Sequence, residues 1–200
     1  MEIVNPIRDK KKIDDMKAVL ASTEKGNRNV LIFTLGINTA YRISDLGRLK
    51  LSDVLIISRQ KVVAKDRLQM KEKKTSKTNS IIISNKLRNQ IIKYVKEEFP
   101  DQLAKQEFDY YLFPSRKGNN KPLSRQGLWL IISNAAKRVG LKNIGTHSMR
   151  KTFGYFLYSK NGIPIEIIQD LLNHSSAKET LRYIGITQED KDTAVMSLDL

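Results

Sequence analysis

The side chains best suited to chemistry in this sequence are two histidines, two arginines, a cluster of lysines and a late tyrosine. His147 and Arg150 stand three apart in "GTHSMRKTFGYF" (145–156), at a helix start by pattern. Both therefore project from one face over the first turn. A helix N-terminus favours anions, and a guanidinium fork beside an imidazole there can grip a phosphate. His174 ends "DLLNH", and Tyr183 follows nine residues later in "KETLRYIG". Arg42 follows an apolar run in "NTAYRISDLGRL". It either snorkels outward or is held near the interior by a carboxylate such as Asp45. Lys71, Lys73, Lys74 and Lys77 crowd a short polar stretch. Alone, each feature has an ordinary reading: a capping histidine, a solvated arginine, a charged turn that discourages edge pairing, a boundary tyrosine.

Charge narrows the class of partner. The 200 residues hold 36 Lys plus Arg against 21 Asp plus Glu, a formal net charge of +15. A fold this basic repels itself unless a polyanion neutralises it, so nucleic acid is the first candidate and an anionic membrane surface the second. There are no cysteines, which removes disulfides, thiolate metal sites and a Cys nucleophile, and fits a reducing compartment. No apolar run reaches membrane-spanning length, and "VLIFTLGI" (30–37) reads as a buried helix. With 40% hydrophobic residues, the length suits one domain with its own core.

Several elements must hold these residues. Residues 1–12 read as a basic lead-in, 13–22 as a short helix and 27–40 as a central apolar one. A short helix follows Arg42, with Ser44 and Asp45 as candidate caps. "VLIISRQKVVAKDRLQMKEKKTSKTNSIIIS" (54–84) is rich in β-branched residues and predicts a small antiparallel sheet whose last hairpin turns near "KKTSK". Helical period returns over 86–99, capped by Ser84 or Asn85, and over 125–139, capped by Ser124 and ended by Gly140. Further helices fit 147–159, Pro164 to Leu172, 177–184 and 188–196. The expected class is α+β, mostly α: one domain over 1–200 with a small antiparallel sheet inserted near 54–84. The helix and tail over 186–200 fold back or dock on a neighbouring protomer.

The order of the pieces carries more than any one of them. "TAYRISDLGRLKLSDV", "KKTSK", "HSMRKTF", "LLNHSS" and "TLRYIGI" resemble, in sequence and spacing from about residue 10 to 190, the tyrosine recombinases of the phage integrase family. The resemblance implies a site-specific recombinase that cleaves and rejoins DNA without metal or other cofactor, through a 3′-phosphotyrosine intermediate. It assigns Tyr183 as nucleophile, Arg42, His147, Arg150 and His174 as its catalytic partners, Lys74 as the hairpin lysine and Asp45 as the support of Arg42. Lys71, Lys73, Lys77 and Lys151 are the expected DNA contacts. The implied partners are double-stranded DNA and further copies of the chain, a tetramer on DNA, with no membrane. The implied location is the cytoplasm of a bacterium, the gene belonging to the bacterium, a phage or a mobile element. No carboxylate cluster shows metal-ligand spacing, which agrees with this chemistry.

The chain departs from the family pattern in places. Asn173 stands where glycine is usual before the histidine, and asparagine is the next best residue for a left-handed helix end. Met149 and Lys151 replace a usual leucine and a frequent histidine, and Ser76 occupies a common glycine position in the hairpin. No core-binding domain precedes the first matched helix, as in an excised catalytic domain or a naturally short member. The rival readings are a DNA-binding regulator on the same fold that never cuts, and a type IB topoisomerase.

Overall fold

The computed structural model describes residues 4–71 and 78–198. Lys73, Lys74 and Lys77, expected at the hairpin tip, lie outside the described residues, and the side chain of Lys71 does too.

The first helix, α1 (Lys10–Ala21), begins where the Asp9 carboxylate accepts from the Lys11 amide at 2.8 Å. Its Ile13, Met16 and Leu20 line one buried stripe. The helix thus starts earlier than the residue-13 boundary expected from periodicity, because Asp9 caps it. The preceding segment is a strap rather than a loose lead-in. Ile7 is buried, its amide donates to Thr152 Oγ1 at 2.8 Å, and the Asn5 amide donates to the Asn143 carbonyl at 2.9 Å.

The apolar helix α2 (Gly26–Asn38) runs through the centre, packed by α1 and by two later helices, Asn85–Glu98 and Thr146–Ser159. Two four-residue helices follow, α3 (Ile43–Leu46) and α4 (Leu51–Val54). The N-cap of α3 is Arg42 itself. Asp45 lies inside the helix and is buried, so neither it nor Ser44 caps it as expected. The reason is burial: Ile43 and Leu46 must both face the core, and this winds the helix from residue 43.

The strand region forms two separate two-stranded antiparallel sheets. In the first, β1 (Leu55–Ser58) pairs with β2 (Lys61–Ala64) through a turn in which Arg59 and Gln60 both take positive φ, 47° and 64°. In the second, β3 (Arg67–Lys71) pairs with β4 (Thr78–Ile82), with Arg67 opposite Ile82 and Lys71 opposite Thr78. Hydrogen bonds of Tyr41 and Asn79 fix this hairpin against the rest. The Tyr41 hydroxyl reaches the Leu68 carbonyl at 2.9 Å, and Asn79 Nδ2 donates to the Leu171 carbonyl at 3.1 Å.

The C-terminal half is helical. Ser84 and Ser124 cap α5 (Asn85–Glu98) and α7 (Arg125–Arg138) as the sequence predicts, accepting from the Leu87 and Gly127 amides. Between them α6 (Pro100–Lys105), which the period analysis does not foresee, opens on a proline at its first position. Then come α8 (Thr146–Ser159), α9 (Ile165–Leu171), α10 (Ala177–Ile184) and α11 (Gln188–Met196), all within a residue or two of their expected limits. Among the described residues, no helix is long and apolar enough to cross a membrane.

Helices α8 and α10 approach unusually closely at Gly154. A Cβ built there would meet Ile184 Cγ2 at 2.6 Å, well inside van der Waals contact. Ile184 is fully buried, so it has no room to retreat. Gly154→Ala is expected to lower stability by about 1–3 kcal/mol, through overpacking that displaces α10. Thermal melting of the variant checks this.

Candidate active site

Four chain segments converge on one basic cluster. The first is the turn into α3. Tyr41 is buried and bonded to the hairpin carbonyl of Leu68, so the next residue, Arg42, is fixed in extended backbone (φ −71°, ψ 152°) at the helix end. Asp45 is buried in the helix that Arg42 opens.

The second segment is the start of α8. Gly145 is its N-cap, and the Ser148 hydroxyl accepts from the Gly145 amide at 3.1 Å. His147 occupies the first turn, half-buried. Arg150 follows on the next turn and is only 2% exposed. Its guanidinium Nη2 donates to the Leu172 carbonyl at the end of α9. A charged group this deep is tolerated because it is hydrogen-bonded and because its charge is put to use nearby.

The third segment is the joint between α9 and α10. Asn173 takes φ 48°, the left-handed conformation expected of an asparagine in a glycine position. This reversal lets the His174 amide donate to the Gln169 carbonyl at 3.0 Å and brings the imidazole against the Tyr183 ring. His174 Nδ1 lies 3.2 Å from Thr180 Oγ1, whose own hydrogen goes to the Ser176 carbonyl at 3.0 Å.

The fourth segment is α10, which presents Tyr183. Its ring meets the His174 ring edge-on, with centroids 4.7 Å apart and planes at 75°. Lys151 Nζ sits over the same ring, 5.3 Å from its centroid. The structure thus brings Arg42, His147, Arg150, Lys151, His174 and Tyr183 together. Sequence reasoning took Lys151 for a DNA contact, and nothing in the local pattern shows that it reaches Tyr183. Arg125 was not singled out either, although it opens α7 directly after the Ser124 cap and its charge acts on His147.

The electrostatics follow from burial and cation density. Burial pushes the His147 imidazolium below the ordinary histidine pKa, and Arg125, Arg150, Lys151 and Arg42 push it further down. His147 is then neutral, and able to accept a proton, at neutral pH. Burial pushes the Tyr183 phenol above its ordinary value, against the pull of Arg150 and Arg42. A phenol so placed keeps its proton unless a base takes it during reaction. Among the described residues, no group of three or more His, Cys, Asp or Glu side chains is placed to hold a metal ion.

Comparison with known proteins places this geometry in a class. The model of the phage integrase family matches residues 9–190. A probable integrase/recombinase of Bacillus subtilis, YoeC, is 40% identical over 193 residues, covering 96% of this chain and 94% of its own length. Against the Xer tyrosine recombinases it matches over most of its length, the chain spans 55–63% of theirs. The crystal structure of XerA recombinase superposes with a TM-score of 0.72 at 19% identity, over 99% of this chain and 66% of that one. The Tn1549 transposon integrase in complex with transposon right end DNA gives 0.68 at 16% identity, over 100% and 68%. These last two are likenesses of fold. The chain belongs to the phage integrase family, the tyrosine recombinases, a family of DNA breaking and rejoining enzymes.

The cationic surroundings of His147 make a direct prediction. Since there are only two histidines, their titrations are separable by NMR. His147 is expected to titrate below the ordinary value of about 6.5. Removing the cation in Arg125→Ala should move it upward, because one repulsion opposing protonation is gone.

Proposed function

We propose that the protein cleaves and rejoins double-stranded DNA at specific sites, with Tyr183 as the nucleophile. The observation that carries this reading is the placing of a neutral imidazole, two guanidinium groups and a second imidazole around one protonated phenol.

The proposed step conserves bonds. Tyr183 Oη attacks the scissile phosphorus, the P–Oη bond forms and the P–O5′ bond breaks. One phosphodiester replaces another, so the bond energy is retained and a free 5′-hydroxyl can later reverse the step. The proton of Oη passes to neutral His147. Arg42 and Arg150 direct permanent charge at the non-bridging oxygens, where negative charge accumulates in the transition state. The hairpin lysine, assigned by resemblance to Lys74, gives a proton to O5′. His174 adds a hydrogen bond to the phosphate. Its Nδ1 contact with Thr180 Oγ1 orients the ring.

Supporting this reading are the +15 net charge and the likeness to recombinases whose structures contain DNA. Lys71, Lys73 and Lys77 belong to its DNA-gripping surface. The acting form is an oligomer on DNA, a tetramer by family pattern, and the work is done in the cytoplasm. Residues 1–200 form a single catalytic unit, with the C-terminal segment from 186 as its link to a neighbouring protomer.

A pool of nicked duplexes of randomised sequence tests the proposal. Wild-type protein is expected to yield SDS-resistant protein–DNA adducts, and Tyr183→Phe should bind the pool equally well and yield none. Arg150→Ala is expected to lose cleavage by at least about a hundredfold, the scale of removing one oxyanion donor. It should also lower stability by about 1–3 kcal/mol, since the Leu172 carbonyl loses its donor. Adducts persisting in Tyr183→Phe would remove Tyr183 from the role. Binding without any wild-type adduct would favour a DNA-binding regulator on this fold.

A further inference from the structure

We propose that Lys151 is a positioning residue for Tyr183: its ammonium group, together with the His174 ring, holds the phenol in the orientation from which the hydroxyl is delivered. This rests on the reading of Tyr183 as nucleophile.

The argument begins with two consecutive residues of α8. Arg150 donates to the Leu172 carbonyl, the last turn of α9 before the joint. Lys151 reaches the ring of Tyr183, on α10 after the joint. One turn of α8 therefore grips the chain on both sides of residues 173–176. The first grip is a buried hydrogen bond between charged donor and carbonyl. The second is a cation over an aromatic face, at 5.3 Å within the range of effective attraction. The two have different stiffness. The Arg150 bond fixes its partner by direction, whereas an ammonium over a ring tolerates sliding and rotation of the phenol. That combination suits a nucleophile that must be held yet remain free to turn.

The surroundings of Lys151 agree. Its side chain is half-buried, and burial pushes its ammonium below the ordinary lysine value. Among the described residues no carboxylate lies within ion-pair distance of it. The ring of Tyr183 is thus the electron-rich group it faces, in a setting drier than the open surface, where such contacts gain strength. His174 completes the arrangement by placing a ring edge against the phenol at 4.7 Å between centroids.

A lysine that merely touched DNA phosphate would act differently, and two readouts separate the roles. In the first, 3-fluorotyrosine is incorporated into the DNA-free protein. The Tyr183 signal is identified by its loss in Tyr183→Phe, and its broadening by a soluble paramagnetic chelate is measured. Lys151→Met and Lys151→Gln are expected to increase that broadening at least about twofold, as the cation–π contact is lost, and Lys151→Arg to leave it near wild type. In the second, the rate of adduct formation is measured on a duplex recovered from the randomised pool. Lys151→Met and Lys151→Gln should slow this rate at saturating duplex by about threefold to thirtyfold. The half-saturating concentration should stay unchanged, and Lys151→Arg should restore most of the rate.

Unaltered broadening in both neutral variants overturns the proposal. So does a wild-type rate at saturating duplex combined with a raised half-saturating concentration, which is the signature of a phosphate contact. If wild-type protein forms no adduct, the nucleophile reading fails instead, and the fluorine signal alone decides whether Lys151 holds the ring.

Discussion

The hydrogen bond from the buried Arg150 guanidinium to the Leu172 carbonyl is the constraint on which the site depends. Burying a permanent charge is costly, and the cost is offset only where its donors are satisfied. Here one donor closes the end of α9. That fixes where the chain reverses at Asn173, and hence where His174 and α10 begin. The same charge then acts on both His147 and Tyr183, opposing protonation of one and favouring ionisation of the other. A single interaction therefore locates α10 and sets part of the electrostatics around Tyr183.

Around that bond the fold ties otherwise distant pieces together. The hairpin is held to the first arginine through Tyr41 and to α9 through Asn79. The N-terminal strap is held to α8 through Thr152, and Arg8 reaches the far end of α10. Its guanidinium donates to the Gly185 carbonyl, pairs with Asp190 and lies 5.0 Å over the Tyr155 ring. Partly exposed ion pairs contribute little by themselves. Joined to a carbonyl and a ring, this one anchors both α10 and the start of α11.

Much of this was legible in the sequence because it depends on local chemistry. Ser84 and Ser124 could be read from residue type and spacing, and the structure has them as caps. The left-handed turn at Asn173, which the structure has, and a shared site for Arg42, His147, Arg150, His174 and Tyr183 were implied by the family resemblance. What could not be read is nonlocal. The reach of Lys151 to Tyr183, the influence of Arg125 on His147 and the strap carrying Arg8 join residues from different elements. Period and capping say nothing about such pairs. Asp45 misled for the opposite reason: as a helix-start residue it looks like a cap, whereas burial of Ile43 and Leu46 draws it into the helix.

The central claim, that Tyr183 becomes covalently joined to a DNA 3′-phosphate, is tested most directly by locating the bond. Wild-type adduct can be digested with nuclease and trypsin and its peptides sequenced by mass spectrometry. The account predicts a nucleotide joined through its 3′-phosphate to the peptide Tyr183–Lys191, "YIGITQEDK". A nucleotide on any other peptide, or one joined through a 5′-phosphate, would contradict it.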